Sequence, residues 1–552
     1  FQSSMDLRPH LGLPTDKPVN IEVLWPDGSE TFLENIDVNQ LIKLSQKDLP
    51  SSEIKIINSE QKNVKNIFTR IENFTSFSHT ENLFIDFNRN RLLPHMLSTP
   101  GPKIINGDID GDGIEEIFVP GSKDSKSSLL RWNNQSLQLD QKFQINDSQS
   151  EIIEPLFFDA DSDGDLDLYV ANGGIEFSKF ITYLSDKLYF NDGDGIFNVS
   201  NLSLPTKSNF FNSGTVEASD IDGDGHIDLF VGERLISDSY GVPGSGVLMK
   251  NDGKGSFSDV TEDLAPEFID FGMITDAIFI DIDNDKDEDL VVVGEFMGVS
   301  IFINTNGSFK LQSSNILNYK GWWQSISHGD FNGDGLVDLI VGNHGLNSRF
   351  KASENNPIRL FVNDYDGNDQ LDPILTFKRD DQNFYPYDLR HNLIDQMKPL
   401  KKVFPDYNSF RSASINDMFT KQQIDESLTL DVNTLSSVIF VNRGNGEFSL
   451  QELPQKAQFS PIFSFLVKDF DNDGDEDIIA GGNLFNSKPE NGRYDASFGL
   501  YLENDGNGLF SVPESGYGFK LDGEIRSIIF TNQNVVVGRN SDSLALFSVK
   551  ND

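Results

Sequence analysis

Asp220-Ile-Asp222-Gly-Asp224-Gly-His226-Ile-Asp228-Leu-Phe-Val231 places acids at positions 1, 3, 5 and 9 of a nine-residue stretch and then runs into an apolar triplet. Calcium takes roughly six to eight hard oxygen ligands at about 2.3–2.6 Å, and a tight loop supplies them from alternate positions. The side chains at positions 1, 3, 5 and 9, with the backbone carbonyl of position 7, nearly complete such a sphere. Gly225 at position 6 lets the chain turn through positive φ.

The same pattern stands before and after this copy. It reads Asp108-Ile-Asp110-Gly-Asp112-Gly-Ile114-Glu-Glu116 and Asp159-Ala-Asp161-Ser-Asp163-Gly-Asp165-Leu-Asp167. It returns as Asp281-Ile-Asp283-Asn-Asp285-Lys-Asp287-Glu-Asp289, Asp330-Phe-Asn332-Gly-Asp334-Gly-Leu336-Val-Asp338 and Asp469-Phe-Asp471-Asn-Asp473-Gly-Asp475-Glu-Asp477. A variant copy is Asp364-Tyr-Asp366-Gly-Asn368-Asp-Gln370-Leu-Asp372. One Asp-Gly segment alone reads equally well as a solvated turn; seven registered copies do not. All seven sets are therefore candidate Ca²⁺ ligands, and the all-oxygen donors disfavour zinc. Lys286 and Asp369 replace the position-6 glycine in two copies, which are expected to bind more weakly.

The segment after each loop decides the fold class. An EF-hand loop leads into a helix, whereas these loops lead into short β-branched runs: Ile117-Phe-Val119, Leu168-Tyr-Val170, Leu290-Val-Val-Val293, Leu339-Ile-Val341 and Ile478-Ile-Ala480. Farther on come apolar runs with Asn-Asp-Gly-type turns, such as Leu188–Phe197, Leu248–Phe257 and Leu500–Phe510, which signal hairpins. The unit is strand, calcium loop, strand, connection, strand, turn, strand. Full loops begin at 108, 159, 220, 281 and 330, spaced 51, 61, 61 and 49 residues apart, and the next begins at 469. The expectation is an all-β chain: a seven-bladed β-propeller over 66–552 with a partly helical insertion at 373–436. Part of a small β domain (1–48) and a linker (49–65) precede it.

The repeats closely resemble FG-GAP/VCBS repeats, the units of the integrin α-subunit propeller. The opening, with Phe1-Gln-Ser-Ser, His10-Leu-Gly-Leu13, Ile21-Glu-Val-Leu-Trp-Pro-Asp-Gly28 and Glu34-Asn-Ile-Asp-Val-Asn-Gln40, resembles the second half of an ASPIC/UnbV domain. That domain accompanies such propellers in cartilage-acidic-protein-like proteins, including many from Bacteroidetes. His79-Thr-Glu-Asn82, Asp86-Phe87 and Leu92-Leu-Pro94 fit the same family. The resemblance implies an exported calcium-binding protein of the extracellular or outer-membrane surface, engaged in recognition, adhesion or scaffolding with a protein or glycan. An outer-membrane nutrient-uptake assembly is one setting it suggests. It also implies a longer parent protein with an upstream propeller, because the ASPIC unit begins before Phe1.

Bulk composition agrees with this direction. The formal net charge is −43, yet no basic patch suits nucleic acid, and apolar periodicity excludes a disordered acidic chain. The carboxylates gather in the loops instead. Cysteine is absent, so neither disulfides nor thiolate chemistry is available, and no run of about 20 apolar residues spans a membrane. The 45 phenylalanines suit pleated, half-buried packing.

Catalytic constellations are weak. None of His10, His79, His95, His226, His328, His344 and His391 forms His-Glu-x-x-His, and no nucleophile elbow or Walker loop occurs. A non-enzymatic module is expected; the alternative is a carbohydrate-active propeller enzyme, hydrolase or lyase. Trp322-Trp323 reads either as an aromatic platform or, by strand alternation, as one core ring and one outward ring. The 373–436 stretch either carries function or covers a propeller face. The last unit has three strands (Ile525–Phe530, Val535–Val537, Leu544–Val549), so a strand from Phe68–Phe87 is expected to complete it.

Overall fold

The computed structural model describes residues 17–24, 29–38, 40, 42, 44, 55–56, 66–134, 136–145, 147–178, 181–205 and 211–550. The chain forms two compact units, Phe1–Lys65 and Asn66–Asp552. In the first, Val19–Leu24, Ser29–Ile36 and Lys55–Ile56 form a three-stranded antiparallel sheet.

In the second unit the repeat unit folds as antiparallel sheets. The Asp220 copy shows why: Ser213–Ser219 enters the acidic loop, Asp228–Glu233 leaves it, and Gly246–Asn251 and Phe257–Asp259 close a hairpin around Asn251-Asp-Gly. The second strand is buried on both faces, which is why it reads as an unbroken apolar run. Apolar clusters fill the space between successive sheets; Tyr169, Val231 and Met249 lie in one, Phe230, Phe268 and Phe302 in the next. Another joins Ile117 and Leu130 of the first sheet to Val536 and Leu546 of the last.

The expected seven-bladed propeller is corrected by the strand pairing. Among the described residues Asn66–Asp552 holds eight separate antiparallel sheets of three, four or five strands, and none closes on itself. The extra sheet takes most of its strands from the 373–436 stretch expected to stand outside the blades, and one, Ile358–Asn363, from before it. Between Asp338–Gly342 and Val438–Asn442, which pair with each other, the chain makes a long excursion. There Phe384–Pro386, Asp372–Lys378, Ile358–Asn363 and Leu428–Val432 form their own sheet, and the Asp364 loop is the turn of its central hairpin. The seventh sheet has only Ile462–Lys468, Asp477–Gly482 and Leu500–Leu502, because Glu503 and Ser511 pair through one isolated bridge. The physical reason is simple. An acidic loop specifies the hairpin it closes, so counting loops counts hairpins and leaves the assembly of sheets open.

The helical part of the excursion is present as short helices at Arg390–Gln396, Leu400–Val403, Tyr407–Phe410, Ile415–Met418 and Lys421–Asp425. Asp406, Ser414 and Thr420 cap the last three through capping boxes. Their apolar faces pack with Phe361 and Ile374 of the local sheet. The last sheet takes a strand from the N-terminal side of the unit: Phe68–Ile71 pairs antiparallel with Ala545–Val549, Phe68 opposite Val549. That pairing is as the sequence led one to expect.

Candidate metal centre

All seven acidic loops share one hydrogen-bonded frame. The position-6 N–H donates to the position-1 carboxylate at 2.8–3.2 Å, from Gly113 to Asp108 through Gly474 to Asp469. The position-7 N–H donates to the position-5 side chain at 2.8–3.1 Å, as from His226 to Asp224. Position 9 is the anchor. Glu116, Asp167, Asp228, Asp289, Asp338, Asp372 and Asp477 are all buried. Each accepts the position-2 N–H at 2.9–3.3 Å. A closed loop therefore points its remaining carboxylate oxygens at one place.

The convergence is direct. Carboxylate oxygens of Asp108, Asp110 and Glu116 lie within 4.8 Å of one another, as do those of Asp159, Asp161 and Asp167, of Asp220, Asp222 and Asp228, and of Asp364, Asp366 and Asp372. In the fourth loop Asp281, Asp283 and Asp285 converge instead. Asp159 Oδ1, Asp161 Oδ1, Asp165 Oδ1, Asp222 Oδ1 and Asp366 Oδ1 are buried without a hydrogen-bond partner. Burying such oxygens is costly unless something compensates them. An all-oxygen donor set of this shape fits a hard divalent cation. The strain of proximity shows in the acidities: burial, then neighbouring loop carboxylates, push Glu116, Asp167 and Asp289 up to about 7. The same causes raise Asp228, Asp338, Asp372 and Asp477 to about 6.

Three features of the loops were not legible in the motif. The first is an asparagine on the third strand. Asn191, Asn251, Asn304, Asn442 and Asn504 each donate a backbone N–H to the position-9 acid at 2.7–3.0 Å. Their side-chain amides then reach the position-2 carbonyl of an earlier loop, Ile109, Ala160, Ile221, Ile282 and Phe331 at 2.7–3.3 Å, Asn504 passing over the Asp364 loop to reach Phe331. The asparagine that reads as a hairpin residue thus ties five of the loops to an earlier one. Asn442 does so across the whole excursion.

The second is a cation beside two of the loops. Arg131 bonds Asp110 and, at 2.8 Å, Glu116. Lys250 bonds Asp222 and, at 3.2 Å, Asp224. The third is that Lys286 and Asp369 keep the frame, adopting φ +81° and +63° where the other loops have glycine. Backbone strain at these two positions, and not a changed loop, is the difference.

Other singled-out residues have structural places. His226 is half-buried, and its Nδ1 stands 3.1 Å from Ser162 Oγ of the preceding loop. Both tryptophans are buried, so the outward ring expected from alternation is absent. Trp323 donates Nε1–H to the Met297 carbonyl at 3.0 Å, and Trp322 packs edge-on against His344 and Phe350 beside a narrow cavity that Tyr494 also lines. His10 lies outside the described residues.

The family model of the FG-GAP-like repeat matches residues 108–170, 220–292 and 281–341. Those segments are similar to FG-GAP-like repeats. The matched FG-GAP segments hold the loops that begin at 108, 159, 220, 281 and 330, while the Asp364 and Asp469 loops lie beyond them. Residues 1–51 match the ASPIC and UnbV model. No curated protein matches the sequence. Among solved structures, the biofilm matrix protein Bap1 of V. cholerae is 10% identical, with 88% of this chain and 91% of that chain covered at a TM-score of 0.35. Sqt1 of Saccharomyces cerevisiae is 10% identical, with 84% and 100% covered at a TM-score of 0.38. No helix among the described residues is long and apolar enough to cross a membrane.

Proposed function

We propose that the FG-GAP-bearing unit is a calcium-loaded recognition or scaffold module that works outside the cell or at its surface on a protein or glycan partner. In each loop the ligands are the side chains at positions 1, 3, 5 and 9 and the carbonyl at position 7. The observation that carries this reading is the buried position-9 carboxylate, held by two backbone N–H groups while unpartnered oxygens of its loop converge beside it. Its role is structural. Each ion closes a loop, and five of the seven loops are tied by an asparagine to the loop of a neighbouring sheet, so calcium sets the rigidity of the surface that a partner meets.

Extracellular calcium modules work at roughly 10⁻⁴–10⁻³ M, which suits constitutive loading. At a hundredfold excess over its dissociation constant one site adds about 2.7 kcal/mol, so several sites sum to a large effect. Chelation is expected to lower the melting temperature strongly, and magnesium to restore little of it, because it demands a smaller octahedral shell. Thermal melts in calcium, magnesium and chelator, with metal analysis of the dialysed protein, check this. Superimposable curves, or protein without bound calcium, refute the reading.

A further inference from the structure

Glu81, Glu151 and Glu176 gather outside the acidic loops, at the other end of the second sheet. Glu151 opens the strand Glu151–Phe158, whose far end leads into the Asp159 loop, about 23 Å away at the usual strand rise. Glu176 comes just after the next strand, Asp167–Gly173, and Glu81 belongs to the N-terminal segment that crosses this end. Glu151 pairs with Gly173, three residues before Glu176, and Asn82, next to Glu81, donates to Glu151. Glu151 is 1% exposed, and its Oε2 accepts the Lys123 N–H at 2.8 Å and the Asn82 side-chain amide at 3.2 Å. Glu81 Oε1 accepts the Gly101 N–H at 2.9 Å.

The remaining oxygens are the notable part. Glu81 Oε2 and both carboxylate oxygens of Glu176 are buried and have no hydrogen-bond partner in another residue. Gly174, at φ +100°, makes room for the Glu176 carboxylate, since a Cβ there would stand 2.4 Å from Oε2. Asp86 nearby is a strut whose oxygens already accept from the Leu97 N–H, the Ser98 N–H and the Ser98 hydroxyl.

We propose that Glu81, Glu151 and Glu176 bind a further hard divalent cation, calcium, which clamps the N-terminal segment onto the second sheet. Three carboxylates with three unclaimed buried oxygens form an all-oxygen donor set; Arg526 and Lys123 face Glu81 and Glu176 but are paired with Glu524 and Asp124, so the buried charge needs a further counter-charge. Burial, followed by the Glu81 and Glu176 charges, raises Glu151 well above the carboxylate range. Burial, with Asp86 and Glu81, takes Glu176 up to about 8. The site shares no residue with the acidic loops, so the proposal stands apart from the function proposed above.

Two measurements on the full chain test it. Crystals grown in calcium chloride and measured at long wavelength should show an anomalous peak among Glu81, Glu151 and Glu176. Peaks at the acidic loops without this one overturn this proposal alone; this peak without the loop peaks overturns the loop reading alone. In solution Glu176→Gln removes both repulsion and a ligand. It should raise the melting temperature of calcium-stripped protein and lower that of calcium-loaded protein, with one calcium equivalent lost. A rise under both conditions would mean a proton-sharing cluster without metal and overturns the site. Glu81→Gln gives the same readout should Glu176→Gln fail to fold.

Discussion

Lys250 leans from the third strand of its sheet onto Asp222 and Asp224, so the Asp220 loop carries a cation of its own. Asp222 nevertheless keeps Oδ1 buried and unpartnered, which leaves that oxygen for an ion. The ammonium therefore acts as a neighbour of the site, not as its occupant, and repels whatever divalent cation enters. A unit charge about 5 Å from a divalent ion, at an effective dielectric of about 60, is worth roughly 2 kcal/mol, or about fortyfold in affinity. Lys250→Met keeps the stem and removes the charge. It is expected to tighten calcium binding at this loop about fortyfold. The His226 imidazole signal reports on the loop in a titration followed by NMR, and the chain has only seven histidines to resolve. An unchanged or weaker midpoint would show that Lys250 acts mainly by orienting Asp222.

At the scale of elements, the third-strand asparagine joins three parts: its own loop, its own hairpin turn and the loop before. Asn304 donates its N–H to Asp289 at 2.7 Å, its amide to the Ile221 and Glu288 carbonyls at 2.9 and 3.1 Å, and accepts from the Gly307 N–H at 2.8 Å. Asn304→Ala leaves the backbone contact intact but strands two carbonyls and one N–H in a buried place. A stranded buried polar group costs about 1–3 kcal/mol, partly relieved by relaxation or water, so a total of about 2–4 kcal/mol is expected. Calcium affinity should fall at both the Asp220 and Asp281 loops, because the tie couples them. Urea unfolding, together with calcium titration, measures both effects. A loss confined to the Asp281 loop would show that the loops are independent.

For the whole molecule, the sum of these buried acids sets a pH dependence whose sign differs with and without calcium. In the metal-free protein Glu116, Asp167 and Asp289 titrate near 7, and Asp228, Asp338, Asp372 and Asp477 near 6, against about 4 when unfolded. Between about pH 4 and pH 7 the folded chain holds more protons than the unfolded one, so its stability falls as pH rises through that window. Bound calcium reverses this. It holds the carboxylates ionised, and the stability it contributes is lost as pH falls and protons compete. Protein stripped of calcium on a chelating resin should melt higher at pH 5 than at pH 8, and calcium-loaded protein should do the opposite. Parallel calorimetric profiles at pH 5, 6, 7 and 8 would show that the acids are not the seat of calcium's effect.

The acidic loops and the strands that flank them were legible in the sequence, because each is closed by contacts within a dozen residues. Position 1 bonds positions 5 and 6, position 9 bonds position 2, and the spacing alone displays this. The strand completing the last sheet was legible too, since a three-strand unit leaves an edge that a distant β segment must fill. The number of sheets was not. The Asp364 hairpin finds its outer partners in Phe384–Pro386 and Leu428–Val432, on either side of the helices, and nothing near the motif announces them. The roles of Asn191, Lys250 and Glu81 were equally hidden. An asparagine in a turn, a lysine on a strand and a glutamate in an irregular segment have many local readings, and only long-range packing chooses among them. Sequence by itself determined the chemistry of the loops, which is local. The tertiary structure decided how the sheets assemble, which loops carry a cation alongside and where further carboxylates meet, because those depend on residues far apart in the chain.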